Sequence, residues 1–148
     1  MNASDDLGYL LQHTAFVLAR QSDQVLLEQL GIGFSQFKIL LILEQSTGTK
    51  QKQIAEKLGQ TEASISRQIK LSQDNGLLVS QVSPNNRREH IIRLTPKGIK
   101  VTQKAMEILN NYHSPVFNKL SERQQQQLRG LLTIMHESIC HDSTHQHQ

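Results

Sequence analysis

The stretch GQTEASISRQIKLSQDNGLL, Gly59 to Leu78, decides the fold. Thr61 offers a hydroxyl where a helix needs an N-cap, and Gly76 supplies a stop at the other end. Between them, Ile65, Ile69 and Ser72 fall on one face at three-to-four residue spacing, while Ser64, Arg67 and Lys70 fall on the opposite one. No acidic residue occurs between Glu62 and Asp74, so the outward face is basic and hydroxylated. Solvation is the usual fate of such charges. Whether these have another use depends on what flanks them.

Immediately upstream, TKQKQIAEKLG (Thr49 to Gly59) places Ile54, Ala55 and Leu58 on one side of a short helix, leaving only Gln60 and Thr61 as a connection. Two short helices joined through a tight, Gly-containing turn form a helix-turn-helix unit, in which the first helix braces the second across the mouth of a DNA major groove. Downstream, LLVSQVSPNNRREHIIRL reads as a β-prone run through Val82, a turn cluster from Ser83 to Asn86, and a second run. In that second run His90, Ile92 and Leu94 share one face, and Ile91 and Arg93 the other. This is a β-hairpin whose tip carries Arg87 and Arg88.

Longer helices flank this unit. From a cap at Ser4, with Asp5 and Asp6 opposing the dipole of the first turn, apolar residues recur at Leu7, Leu10, Leu11, Val17, Leu18 and Val25 until Gly31. A compact helix then restarts at Ser35 as cap, turns Phe37, Leu40 and Leu43 inward, and stops at Gly48. After the hairpin, Thr95 caps a helix with Pro96 at its first position, running through Val101, Ala105, Ile108 and Tyr112 until Pro115 interrupts it. A last helix opens on the capping box SERQ at Ser121 and carries Leu128, Leu131, Leu132 and Met135.

Composition bounds the function. The 148 residues suffice for one domain with dimerisation helices, and the net charge of +3 matters because its cations gather on the face just described. A lone cysteine, Cys140, excludes an intramolecular disulfide framework and fits a reducing compartment. The longest apolar run, ILLIL at Ile39 to Leu43, is far short of a membrane span, and the N-terminus is acidic where a secretory signal is basic. A cytoplasmic protein is expected. No Gly-rich phosphate loop, nucleophile elbow or paired acidic motif appears, so no catalytic residue, cofactor or enzymatic activity is expected.

The order of recognition helix, Gly-Leu turn, basic wing and LTPKG helix start, from Gly59 to Gly98, resembles the MarR family of winged-helix transcription regulators. The resemblance implies a mostly α fold with a small β-hairpin wing. A winged helix-turn-helix at residues 35–95 would lie between dimerisation helices at 1–34 and 96–141, with a flexible tail at 142–148. It further implies a homodimer on a pseudo-palindromic double-stranded operator, with the helix from Thr61 to Asn75 in the major groove, the wing in the minor groove, and control by a small ligand. Two positions depart from the family pattern. Asn86 replaces the acidic residue of the wing's Asp-x-Arg, depriving Arg88 of a carboxylate partner, and Ser72 replaces the acidic residue that commonly follows the helix leucine.

The expected DNA-binding residues are Lys52, Thr61, Ser64, Ser66, Arg67, Gln68 and Lys70, with Arg87 and Arg88 on the wing. A narrow minor groove concentrates negative potential and favours Arg. His13, Phe16, Arg20, Phe37 and Tyr112 are expected to line an effector cavity beside the dimer helices, suited to an aromatic or phenolic acid, with core packing the better reading for Phe16 and Phe37. His136, Cys140, His141, His145 and His147 have metal-ligand chemistry, but a tail lacks the framework that fixes tetrahedral geometry, so no metal site is expected. Cys140 is read as an inert thiol rather than a redox sensor. The expected function is a dimeric, sequence-specific repressor relieved by a small ligand. The alternative is a winged-helix protein- or RNA-interaction module without specific DNA readout.

Overall fold

The computed structural model describes Asn2 and residues 5–142, with side chains described as far as Cys140. Among the described residues, six helices and three strands follow in the order α1 (Leu7–Leu30), α2 (Phe34–Glu44), β1 (Thr49–Lys50), α3 (Gln51–Leu58), α4 (Glu62–Asp74), β2 (Leu78–Ser83), β3 (Asn86–Leu94), α5 (Pro96–Phe117) and α6 (Glu122–Asp142). The fold is the expected winged helix-turn-helix between longer helices. The chain divides into two compact units, one ending at Leu109 and one beginning at Asn110.

The core of the first unit gathers Leu26 from α1, Ile39 and Leu40 from α2, Ile54 from α3, Ile65 from α4, and Leu78 and Ile92 from the sheet, all essentially inaccessible. Burying one such side chain contributes about 1.5–3 kcal/mol. The three strands form an antiparallel sheet in the order β1-β3-β2. β1 went unforeseen, since two residues show no periodicity; its pairing of Thr49 with Ile92 and Lys50 with Ile91 makes it a strand.

Several helix ends differ from expectation. Asp6 is the N-cap of α1 rather than a first-turn residue, because its carboxylate accepts the Tyr9 N–H at 2.7 Å; the expected cap Ser4 lies outside the described residues. α2 begins at Phe34, with Gly33 and not Ser35 at the cap. Its free donors are met from elsewhere: Asp23 of α1 accepts the Phe34 N–H at 2.9 Å, and the Gln36 side chain accepts the Gly33 N–H at 3.0 Å. α2 also stops at Glu44, short of Gly48. Pro115 does not end α5, which continues to Phe117. The Asn111 carbonyl that a proline cannot serve accepts the Ser114 hydroxyl instead, at 3.0 Å.

The motif elements that carried the resemblance are physically joined. Gly76 at φ 71° closes α4 in a Schellman arrangement, with the Leu77 N–H returning to the Ser72 carbonyl at 2.9 Å. The Thr95 hydroxyl donates to the Gly76 carbonyl at 2.6 Å and accepts the Gly98 N–H at 3.0 Å. Gly98 is required by contact: a Cβ there would stand 1.8 Å from the Leu77 carbonyl oxygen. In the second unit, α6 opens on the expected capping box, with Ser121 and Gln124 exchanging backbone-to-side-chain bonds at 2.9 and 3.2 Å. This unit exposes Leu131, Ile134 and Ile139 at 62, 67 and 69%. It also carries a groove of about 710 Å³ lined by Phe117, Leu120, Leu128 and Leu132 among polar residues.

Candidate nucleic-acid interface

α3 ends on Gly59 in the left-handed conformation, φ 61°, and the chain turns through Gln60 into α4. Thr61 caps that helix, its Oγ1 accepting the Ser64 N–H at 3.2 Å. The inner face is the expected one: Ile65, Ile69 and Ser72 are buried. Ser72, at the position where the family pattern has an acidic residue, is wholly buried and accepts a hydrogen bond from Gln36 Nε2 at 3.1 Å. The same Gln36 side chain caps α2, so a single amide seats α4 on α2 and fixes the start of α2. A carboxylate in that pocket would be desolvated at high cost.

On the outer face Ser66, Arg67 and Lys70 are exposed, while Ser64 and Gln68 are half-buried at its margins. Thr61 is exposed, although its hydroxyl is engaged by the cap. Lys52 is exposed on α3. The wing carries its arginines by a register shift that the sequence did not announce. Val82 pairs with His90, but the next residue, Ser83, pairs with Asn86, so Arg87, Arg88 and Glu89 form extra length on β3 and leave the regular ladder. Arg87 and Arg88 are exposed. The Asn86 side chain accepts the Arg88 backbone N–H at 3.0 Å, so this residue shapes the wing tip locally even though it is no carboxylate.

Between α3 and the wing lies a cleft of about 350 Å³ whose walls carry Lys50, Lys52, Glu56, Glu62, Arg88 and Glu89. Lys50 and Glu89 pair across it at 3.1 Å. Such a partly exposed pair contributes little to stability, but it joins the wing to the N-terminus of α3. Sequence reasoning missed Glu89, because nothing in the spacing of residues 50 and 89 links them. The cations of this surface come from elements far apart in the chain, and the fold places α4 and the wing as two basic projections of one unit.

The residues expected to line an effector cavity differ in element and in exposure. His13, Phe16 and Arg20 lie exposed along one stripe of α1, where the Tyr9 and His13 rings stack at 5.4 Å. Phe37 is 6% exposed within the core and stacks on Phe34 at 6.1 Å. Tyr112 belongs to the second unit and is half-exposed. Nearby, His113 is buried, and burial holds its imidazole below the usual value of 6.5. His136 and Cys140 approach at 3.4 Å on α6. No three metal-ligating side chains gather among the described residues; His145 and His147 and the side chain of His141 lie outside them. Among the described residues no single helix is long and apolar enough to cross a membrane.

Comparison with known proteins agrees with this geometry. The model of the MarR family matches residues 34–90. An HTH-type transcriptional repressor of Mycobacterium tuberculosis is 26% identical over 134 residues, covering 89% of this chain and 96% of that protein. The S. aureus MepR–DNA complex superimposes with a TM-score of 0.77 at 27% identity, over 90% of this chain and 98% of MepR. CouR of Rhodococcus jostii RHA1, solved with p-coumaroyl-CoA, gives a TM-score of 0.80 at 22% identity over 95% of each chain.

Proposed function

We propose, on the premise that its winged helix makes this chain a MarR-family DNA-binding transcriptional regulator and not an enzyme, that it represses transcription as a homodimer and is released from its operator by a small aromatic ligand. The observation that carries the DNA reading is the pairing of two exposed basic projections: Ser66, Arg67 and Lys70 on α4, and Arg87 and Arg88 on the out-of-register wing. A helix of this kind reads base edges in the major groove, and arginines on a wing suit the adjacent minor groove. Lys52, Thr61, Ser64 and Gln68 flank the first projection and complete the expected contact set. Repression is supported by the name of the M. tuberculosis relative.

Dimerisation is supported by α6, which leaves the large apolar side chains Leu131, Ile134 and Ile139 exposed. Two copies would present their α4 helices to half-sites about one helical turn apart. For the ligand, the support is the α1 stripe of His13, Phe16 and Arg20, a cation and an imidazole beside an aromatic ring. CouR, which was solved bound to p-coumaroyl-CoA, also supports this reading. A ligand relieves repression only by binding one arrangement of the recognition helices better than another.

Selection of bound duplexes from a random pool tests the reading. The expected product is an inverted repeat, bound by a species that light scattering sizes as a dimer and weakened by millimolar salicylate. Arg20→Ala is expected to blunt the salicylate effect while leaving DNA binding intact. Equal affinity for the selected and a scrambled duplex would refute sequence-specific regulation, and a folded monomer at micromolar concentration would refute the dimer.

A further inference from the structure

β3 is the middle strand of the sheet, so whatever fastens it to both neighbours fixes where the wing stands relative to the helix-turn-helix. On the β1 side the backbone seam is short, two residue pairs only. A side chain extends it. Arg93 Nε donates to the Thr47 carbonyl at 2.8 Å, in the turn that leads into β1, and its Nη1 donates to Gln81 Oε1 on β2 at 2.9 Å. One guanidinium thus ties the turn before β1 to β2 across the face of β3, a span suited to its rigid fork of donors. The turn is shaped around it: a Cβ on Gly48 would come within 2.9 Å of Ile91 Cγ2 and 3.1 Å of Arg93 Nε. Toward the tip, the Lys50–Glu89 pair closes the same seam.

We propose that Arg93 is a positioning residue for DNA recognition: it sets the stance of the wing, and so the reach of Arg87 and Arg88, without itself touching DNA. This rests on the DNA-binding reading above. Arg87 and Arg88 stand outside the β2–β3 ladder, so their placement depends on how firmly the strand beneath them is held. A wing held in place before binding loses less freedom on contact and binds more tightly.

The experiment measures affinity and salt dependence for a duplex selected by the wild-type protein, using Arg93→Ala alone and in a background already carrying Arg87→Ala and Arg88→Ala. The expected result is a loss of about fivefold from Arg93→Ala in the wild-type background, with a shallower salt slope, and little further loss in the arginine-free wing. Amide relaxation of residues 87–89 in the free protein is expected to show greater mobility in Arg93→Ala. Gln81→Ala removes one arm of the tie without altering β3, and is expected to move both readouts in the same direction by less; it decides the matter if Arg93→Ala does not fold. Additive losses would mean that Arg93 meets phosphate directly, and unchanged affinity with unchanged relaxation would mean that the wing needs no such tie; either overturns the proposal. A wild type that enriches no duplex overturns the DNA reading instead, while relaxation still decides whether Arg93 holds the wing.

Discussion

Removing the Arg88 side chain separates a wing that touches DNA from one that merely decorates the fold. The structure makes this a clean perturbation: the Arg88 backbone is held through its N–H by Asn86, so Arg88→Ala takes away the guanidinium and leaves the local hydrogen bond in place. Each phosphate neutralised contributes about 0.9 to the fall of log K with log salt, so losing one contact from each wing of a dimer lowers the slope by about 1.8. Between 50 and 200 mM salt, a fourfold range, the wild type is then expected to lose about tenfold more affinity than the variant. At 50 mM the variant binds more weakly, and the two curves converge as salt rises. Fluorescence anisotropy on the selected duplex at five or six salt concentrations measures both slopes. Parallel lines would refute the reasoning, because a guanidinium that reaches no phosphate releases no counterion.

Three further outcomes follow from the same geometry. Arg67→Ala, on the exposed face of α4, is expected to weaken operator binding by about 1–3 kcal/mol while leaving the unfolding midpoint unchanged; retained affinity would remove Arg67 from the contact set. Ser72→Ala strands the buried Gln36 amide and is expected to cost about 1–3 kcal/mol of folding stability, read by urea unfolding. For His113, burial favours the neutral imidazole, so the folded chain resists a proton that the unfolded chain accepts near 6.5. Stability is therefore expected to be flat above that pH and to decline as pH falls from 6.5 toward the lower folded value. Urea titrations at several pH values check this, and His113→Gln should lose that part of the dependence.

What the sequence determined by itself is whatever depends on neighbours three or four residues away. The inward face at Ile65, Ile69 and Ser72, the cap at Thr61, the stop at Gly76 and the capping box at Ser121 all follow from helical period and local hydrogen bonding, and all stand in the structure. The exposed cations of α4, Arg67 and Lys70, were legible for the same reason, since a residue opposite a buried stripe must face out. Tertiary structure decided what depends on partners distant in the chain. Asp23 supports a cap for α2 at Gly33 rather than Ser35 by accepting the Phe34 N–H across the gap from α1. β1 exists only because β3 offers it a ladder, and the register slip that releases Arg87, Arg88 and Glu89 is set by the pairing of two strands, not by the residues of either one. Periodicity fixes which face of an element is apolar; only the fold decides what that face meets and which unpaired donors and charges find one another.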